Sequence, residues 1–306
     1  MPRWIVKAAV QGALSALPQP HKANLLLQRY VTRSLTFDDA YFLQKYRHVE
    51  SHAELLRSVD AGGAGPSVLE LGTGWYPVVP IGLWLSGAGE VTTVDVTDLV
   101  SRERVLQTGR RYLDLHAAGR LAGLRPDRLS CLREVVEAPG AQGGDELLAD
   151  VGVRTVVGDA RSLPLADGAV HVFTSNNTLE HITPEVIAQI LVEFRRVARS
   201  DARMQHYIDM ADHYAGFDRT ITAYNFLRFD DRSWRRYNSR LHYQNRLRVN
   251  DYRNLHEAAG WVVTDEKSGR RPAADLRSVP LAPRFAAYSE ADLRVCRSLL
   301  TSRPAQ

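Results

Sequence analysis

The chain has 306 residues, 44% of them apolar and 24% charged, with a formal net charge of +4. That length provides for a sizeable core and by size alone suggests about two domains, while no run of 18 or more apolar residues reads as a membrane span. Cys131 and Cys296 lie far apart and form no metal-ligand spacing, which reads as buried, unpaired thiols in a reducing cytoplasm. Only four of the 39 basic residues are lysine, and the mildly basic balance permits anionic partners without naming one.

The first 17 residues, MPRWIVKAAVQGALSAL, carry Lys7 inside an apolar run and no small-residue cleavage site. They read as an amphipathic helix rather than a signal peptide. Its first expected role is packing on the main domain, and its second is contact with a membrane surface. The next stretch, TFDDAYFLQKYRHVESHAELL, predicts a second helix from the capping Thr36 and the spacing of Phe42, Leu43, Tyr46, Val49 and Leu55.

From residue 67 onward short apolar runs alternate with helical patterns, the signature of an α/β sheet. The runs are Val68–Leu71, EVTTVD ending at Asp95, VRTVV before Gly158-Asp159, AVHVFTSNN over 169–177, and MQHYID ending at Asp209. Between the last two, Thr183, Pro184 and Glu185 open a helix whose Val186, Ile187, Ile190, Leu191, Phe194 and Val197 recur at helical spacing. A helix from Asp251 to Ala259 stopped by Gly260, a strand WVVTDE and a last strand within DLRVCRSLLTS complete the pattern. Residues 95–153 read as a mostly helical insertion and 210–250 as an inserted lid.

VLELGTGWYP (68–77) poses the functional question. A glycine loop between a strand and a helix lets a ligand approach the backbone and meet free N–H groups. The dinucleotide fingerprint requires a third glycine where Pro77 stands, so that reading fails and a plain turn or another nucleotide-like ligand remains.

The surroundings resemble the class I S-adenosylmethionine (SAM) methyltransferases. ELGTG is similar to their first motif, Asp95 to their ribose-binding acid, GDARSLPL to their adenine-binding segment, and FTSNNTLEHI to the motif after the fourth strand. The resemblance covers about 68–300. It departs from the family at ARSDAR, where a proline-glycine turn usually precedes the fifth strand. It implies a Rossmann-like fold: a mostly parallel seven-stranded sheet with helices on both faces, here in a methyltransferase domain over 61–306 behind an N-terminal helical extension over 1–60. It implies SAM as cofactor, held by Glu70, Gly72, Thr73, Gly74, Asp95, Asp159, Ala160 and Asn176.

The acceptor is expected over the C-terminal strand edge, which points to residues after the fourth and fifth strands. His213, His181 and Asp209 are the candidates for proton removal. Asp209, Asp212 and His213 as a divalent-metal set is the weaker alternative, and no metal is expected. The segment 221–252 mixes aromatics, amides and arginines, which suits a polar ligand with flat apolar faces. Asp212, Tyr214, Asn225, Arg228, Gln244 and Arg246 are the candidate substrate contacts, against a packed lid with a solvated basic face. The segment also resembles lids of bacterial methyltransferases acting on saccharides or cell-envelope precursors. The expected substrate is therefore a small polar molecule, preferably a saccharide hydroxyl, with N-methylation as the rival and RNA methylation or SAM binding without catalysis as further alternatives. Nucleic acid is disfavoured, because SNNT stands where base-amine methyltransferases carry Asn/Asp-Pro-Pro-aromatic.

Overall fold

The computed structural model describes residues 3–15, 37–138 and 140–306. Seven strands form one sheet: β1 Ser67–Leu71, β2 Glu90–Asp95, β3 Val153–Val157, β4 Val170–Asn176, β5 Ala198–Asp209, β6 Trp261–Arg270 and β7 Val295–Pro304. Their order is β3-β2-β1-β4-β5-β7-β6. The first five are parallel, and β7 runs antiparallel between β5 and β6. This is the expected class I methyltransferase plan. From β1 the chain moves first to one side of the sheet and then, at β4, to the other, which opens a crevice at the carboxyl ends of β1 and β4.

Among the described residues the helices longer than five residues are α1 Arg3–Ser15, α2 Asp39–Arg57, α3 Val78–Leu85, α4 Arg102–Ala117, α5 Pro126–Glu137, α6 Gly144–Asp150, α7 Pro184–Val197 and α8 Val249–Ala258. Helices α2 to α6 share one core with the sheet, and α3, apolar all round, is buried along its whole length. Helices α7 and α8 form the other core, around Phe173, Phe194 and Trp261. The sheet is thus covered on both faces, which is why consecutive residues of β1, β2 and β4 are buried rather than alternate ones.

Several boundaries differ from expectation for local reasons. Helix α2 is capped by Asp38, whose carboxylate accepts the Tyr41 N–H at 2.8 Å; Thr36 lies outside the described residues. Strand β5 begins at Ala198, not at the MQHYID run. Its register against β4 jumps from Val170–Ala198 to Val172–Arg203, so a bulge with exposed Arg199, Ser200 and Asp201 replaces the turn expected at ARSDAR. Strand β6 continues to Arg270 because β7 supplies an antiparallel partner for its polar half. Both cysteines are unpaired, but Cys131 is only partly buried.

Residues 95–153 form α4 to α6. Residues 210–250 consist mainly of loops and short helical turns, some capped by acids such as Asp212 and Asp230. These turns enclose a third cluster, around Tyr214, Tyr224, Phe226, Trp234 and Phe285. Helix α1 packs Trp4 and Ala8 into this cluster, while Val6 and Val10 stay exposed. Among the described residues no helix is long and apolar enough to cross a membrane.

Candidate active site

The crevice at the β1/β4 switch point holds a pocket of about 570 Å³. The eight residues expected to contact SAM all line it. Local geometry explains the placement. Gly72 leaves β1 with φ +93° and donates its N–H to Val94 O at 2.8 Å, which ties the loop to the end of β2. Gly74 also has positive φ, and the Thr73 hydroxyl meets the Thr93 hydroxyl at 2.8 Å. The turn after β4 locks over this loop, because Thr178 Oγ1 donates to Leu71 O at 3.1 Å.

Three acids line the pocket: Asp95, Glu70 and Asp159. Asp95 ends β2 half-buried, and burial raises its pKa. Backbone N–H groups of Thr97, Gly74, Thr73 and Val96 counter that rise. Such a carboxylate can accept a vicinal diol. Glu70 is 2% exposed and its Oε2 has no hydrogen-bond partner among the described residues. Burial pushes its carboxyl well above the usual range, and the nearby Asn176 amide and Lys45 ammonium pull it back. An orphaned buried carboxylate oxygen on the pocket wall fits a cationic ligand such as the ammonium or sulfonium of SAM. Asp159 is exposed and its carboxyl is held down at about 2 by the Arg161 guanidinium, so an adenine amino group would share it with Arg161.

Glu180 does not line the pocket but precedes His181, which does, and is itself 1% exposed. Burial raises its pKa to about 8, with Asp209 adding to the rise. Asn177 Nδ2 donates to Glu180 Oε1 at 3.4 Å, while Oε2 is unpartnered among the described residues. Asn245 fixes this turn by donating its Nδ2 to Leu179 O and Ile182 O, both at 2.8 Å, and its N–H to Glu180 O at 2.9 Å.

The next residue, His181, lines the pocket and is exposed to its open space, yet enough protein surrounds it to lower its pKa. Its Nδ1 lies 2.7 Å from Tyr243 O. A carbonyl only accepts, so Nδ1 carries the proton and Nε2 keeps its lone pair. The His213 ring is 5.1 Å from it, between His181 and His242. Burial, then His181, His242 and Lys7, push the His213 pKa down to about 3, so this cluster is neutral near pH 7.

The other expected acceptor residues sit elsewhere. Asp209 accepts the Ala211 N–H at 3.0 Å and lies 3.9 Å from Arg297 Nε. Asp212 accepts from Tyr214 N and Asn225 Nδ2, inside the lid. Tyr214 donates its hydroxyl to Tyr237 O at 2.7 Å, and Gln244 donates Nε2 to Ala211 O at 2.6 Å. Arg246 is buried between Trp234 and Phe285, donates to Phe226 O and Phe229 O, and pairs with Asp231. Arg228 is exposed over Phe229. None of these six candidate substrate contacts lines the pocket; five hold the lid together instead. Among the described residues Asp209, Asp212 and His213 do not converge as a metal set either.

The pocket also contains residues that the sequence pattern did not single out. Tyr41 and Lys45 reach it from α2, and Tyr41, Tyr76 and Phe37 form an aromatic group at its rim, with Phe37 and Tyr76 stacked at 3.9 Å. The i, i+4 spacing of Tyr41 and Lys45 marks a shared helix face. Nothing local says that this face turns toward the glycine loop.

Residues 128–204 match a protein family described as a methyltransferase domain. That span runs from α5 into β5 and includes Asp159, Asn176, Glu180 and His181. No curated protein matches the chain. Among solved structures, a methyltransferase of putative assignment from Bacillus halodurans C-125 is 17% identical, with 84% of this chain and 100% of that one covered at a TM-score of 0.40. A geranyl diphosphate C-methyltransferase from Streptomyces coelicolor A3(2), solved with Mg2+, geranyl diphosphate and S-adenosyl-L-homocysteine, is 13% identical, with 85% and 80% covered at 0.47. A protein titled as a sarcosine dimethylglycine methyltransferase of putative assignment, from Galdieria sulphuraria, is 15% identical, with 86% of each chain covered at 0.44. Likenesses this distant say nothing about the acceptor. The strand order, the domain match and the acids around the pocket agree on a methyltransferase domain that uses SAM.

Proposed function

We propose that the protein transfers the SAM methyl group to a hydroxyl of a small polar acceptor, preferably a saccharide or glycolipid precursor. One observation carries the reading: the pocket lined by Glu70 and Asp95 is also lined by His181, whose ring lies 5.1 Å from that of His213. In this reading Asp95 accepts the ribose hydroxyls, Glu70 faces the cationic methionine part, and Asp159 with Ala160 receives the adenine. Residues 61–306 form the catalytic unit, and the segment 1–60 adds Tyr41 and Lys45 to the pocket wall.

Methyl transfer from a sulfonium is an in-line displacement, and alignment supplies roughly 7–11 kcal/mol of the barrier. An amine attacks unaided, whereas a hydroxyl must lose its proton, and assistance at that step contributes about 10²–10⁴-fold. The neutral His181–His213 pair at the acceptor end favours the hydroxyl. The lid resemblance favours a saccharide.

Incubation with methyl-labelled SAM and a fractionated bacterial extract tests the proposal. Label in a carbohydrate or glycolipid fraction, as an ether stable to mild base, is the expected result. Label in RNA, or on an amine, overturns the acceptor class.

A further inference from the structure

Among the described residues, one group of side chains has the composition and spacing of a transition-metal site. One ligand atom each from Glu180, His181 and His213 lie within 4.8 Å of one another. We propose that these three residues bind a divalent transition-metal cation, with Zn2+ as the reference ion, at the acceptor end of the pocket.

Three independent features point to it. Glu180 is 1% exposed and its Oε2 has no partner among the described residues, an arrangement that is costly unless a cation or donor arrives. His181 already has the outer contact typical of a metal-binding histidine: Nδ1–H donates to Tyr243 O, which leaves the Nε2 lone pair free and fixes the ring. Neither ring nitrogen of His213 has a hydrogen-bond partner among the described residues, and Gln244 Oε1 holds its backbone N–H at 3.3 Å.

The donor set names the class of cation. Two imidazoles and one carboxylate suit Zn2+, Mn2+, Fe2+ or Co2+, while Mg2+ and Ca2+ prefer oxygen ligands throughout. With metal–ligand bonds of about 2.0–2.1 Å, tetrahedral ligand atoms lie roughly 3.4 Å apart. Atoms at the 4.8 Å limit must therefore close by about 1.4 Å, within the reach of side-chain rotation. Three protein ligands leave a fourth coordination position for solvent or substrate, and of the three His181 lines the pocket.

The site deepens the hydroxyl-methylation reading and rests on it for its role. With His181 and His213 held as ligands, the cation acidifies the hydroxyl in place of the free imidazoles acting as bases, and the hydroxyl proton passes to water. The hydroxyl oxygen then forms the bond to the methyl carbon as the carbon–sulfur bond breaks, and that electron pair stays on sulfur as the thioether. No redox change occurs at the cation.

The test uses tag-free, full-length protein stripped with EDTA. It is titrated with Co2+, followed by its visible absorption, and with Zn2+ in competition; SAM affinity is measured on the same samples by calorimetry. One equivalent of Co2+ bound and displaced by Zn2+ is expected. Glu180→Gln and His213→Ala should weaken it by at least about 100-fold, beyond the 10–100-fold typical of lost outer contacts. Both variants should retain the wild-type order of SAM affinity, which also shows that they are folded. Absence of Co2+ binding, or equal binding by both variants, overturns the metal site and leaves SAM binding intact. Loss of SAM binding by wild-type protein would instead overturn the functional reading.

Discussion

The side chain of Thr178 occupies the space in which a side chain on Gly72 would begin: a Cβ there would lie 2.5 Å from Thr178 Oγ1. Gly72 also has φ +93°, so two separate constraints exclude a larger residue at the start of the cofactor loop. Gly72→Ala should therefore displace the turn after β4, weaken SAM binding at least tenfold and lower stability by about 1–3 kcal/mol. Gly74 has φ +68° but open space around its Cβ position. Gly74→Ala should show only the backbone cost, about 1–2 kcal/mol. Calorimetric SAM titration and thermal melting of both variants check the ranking; equal affinity losses would show that Thr178 does not set the loop.

Asp95 is surrounded by backbone N–H groups that offset its burial, so its carboxylate is poised for hydroxyl donors. Replacement by alanine removes a charged acceptor whose hydrogen bonds contribute roughly 1.5–3 kcal/mol each. Asp95→Ala should weaken SAM at least tenfold with little effect on melting temperature. Wild-type affinity would refute the ribose assignment.

The cofactor side of this molecule was legible in its sequence because its determinants are local. A glycine's backbone freedom, an acid at a strand end and a buried apolar run each act within a few residues, and the sheet carries them to one edge. The lid was not legible for the opposite reason. Arg246, Gln244 and Asn225 look like ligand contacts by type, yet they satisfy carbonyls and acids within the lid. Residue type does not say whether a polar group faces inward or outward. Lys45 and Tyr41 were missed for a third reason: only the packing of α2 on α3 brings them to a loop some 30 residues away.

Arg248 shows what such inward-facing arginines do. It is fully buried, and its guanidinium has no carboxylate partner among the described residues. Its guanidinium donates to Met210 O at 2.8 Å and Leu293 O at 3.1 Å, and also to Val295 O. One planar fork thus ties the end of β5 to the start of β7. Arg248→Met takes the guanidinium donors away from three carbonyls and should destabilise by about 2–4 kcal/mol, tempered by removal of a buried charge. Arg248→Lys should not restore stability, because an ammonium cannot reproduce the fork. Urea unfolding of both variants decides it, and a stable lysine variant would contradict the geometry.

His206, His256 and His52 form a buried set that acid should disturb. The His206 and His256 rings lie 5.5 Å apart, Ser175 Oγ meets His206 Nδ1 at 2.7 Å, and His256 Nδ1 donates to Tyr252 O. Burial pushes the His256 pKa down to about 4, and burial followed by its neighbours His256 and His52 lowers that of His206. A histidine whose folded pKa lies below its unfolded value of about 6.5 binds fewer protons when folded. Its contribution is complete above pH 6.5 and is lost as pH falls toward 4. Buried carboxyls with raised pKa, such as Glu70, act in the opposite sense, so the informative quantity is a difference between proteins. Relative to His256→Leu, the wild type should lose ~2 kcal/mol between pH 7.5 and pH 5, at about 1.4 kcal/mol per unit below pH 6.5. Urea midpoints at those two pH values measure it. Parallel pH dependence in the two proteins would mean that His256 takes up its proton in the folded state without cost.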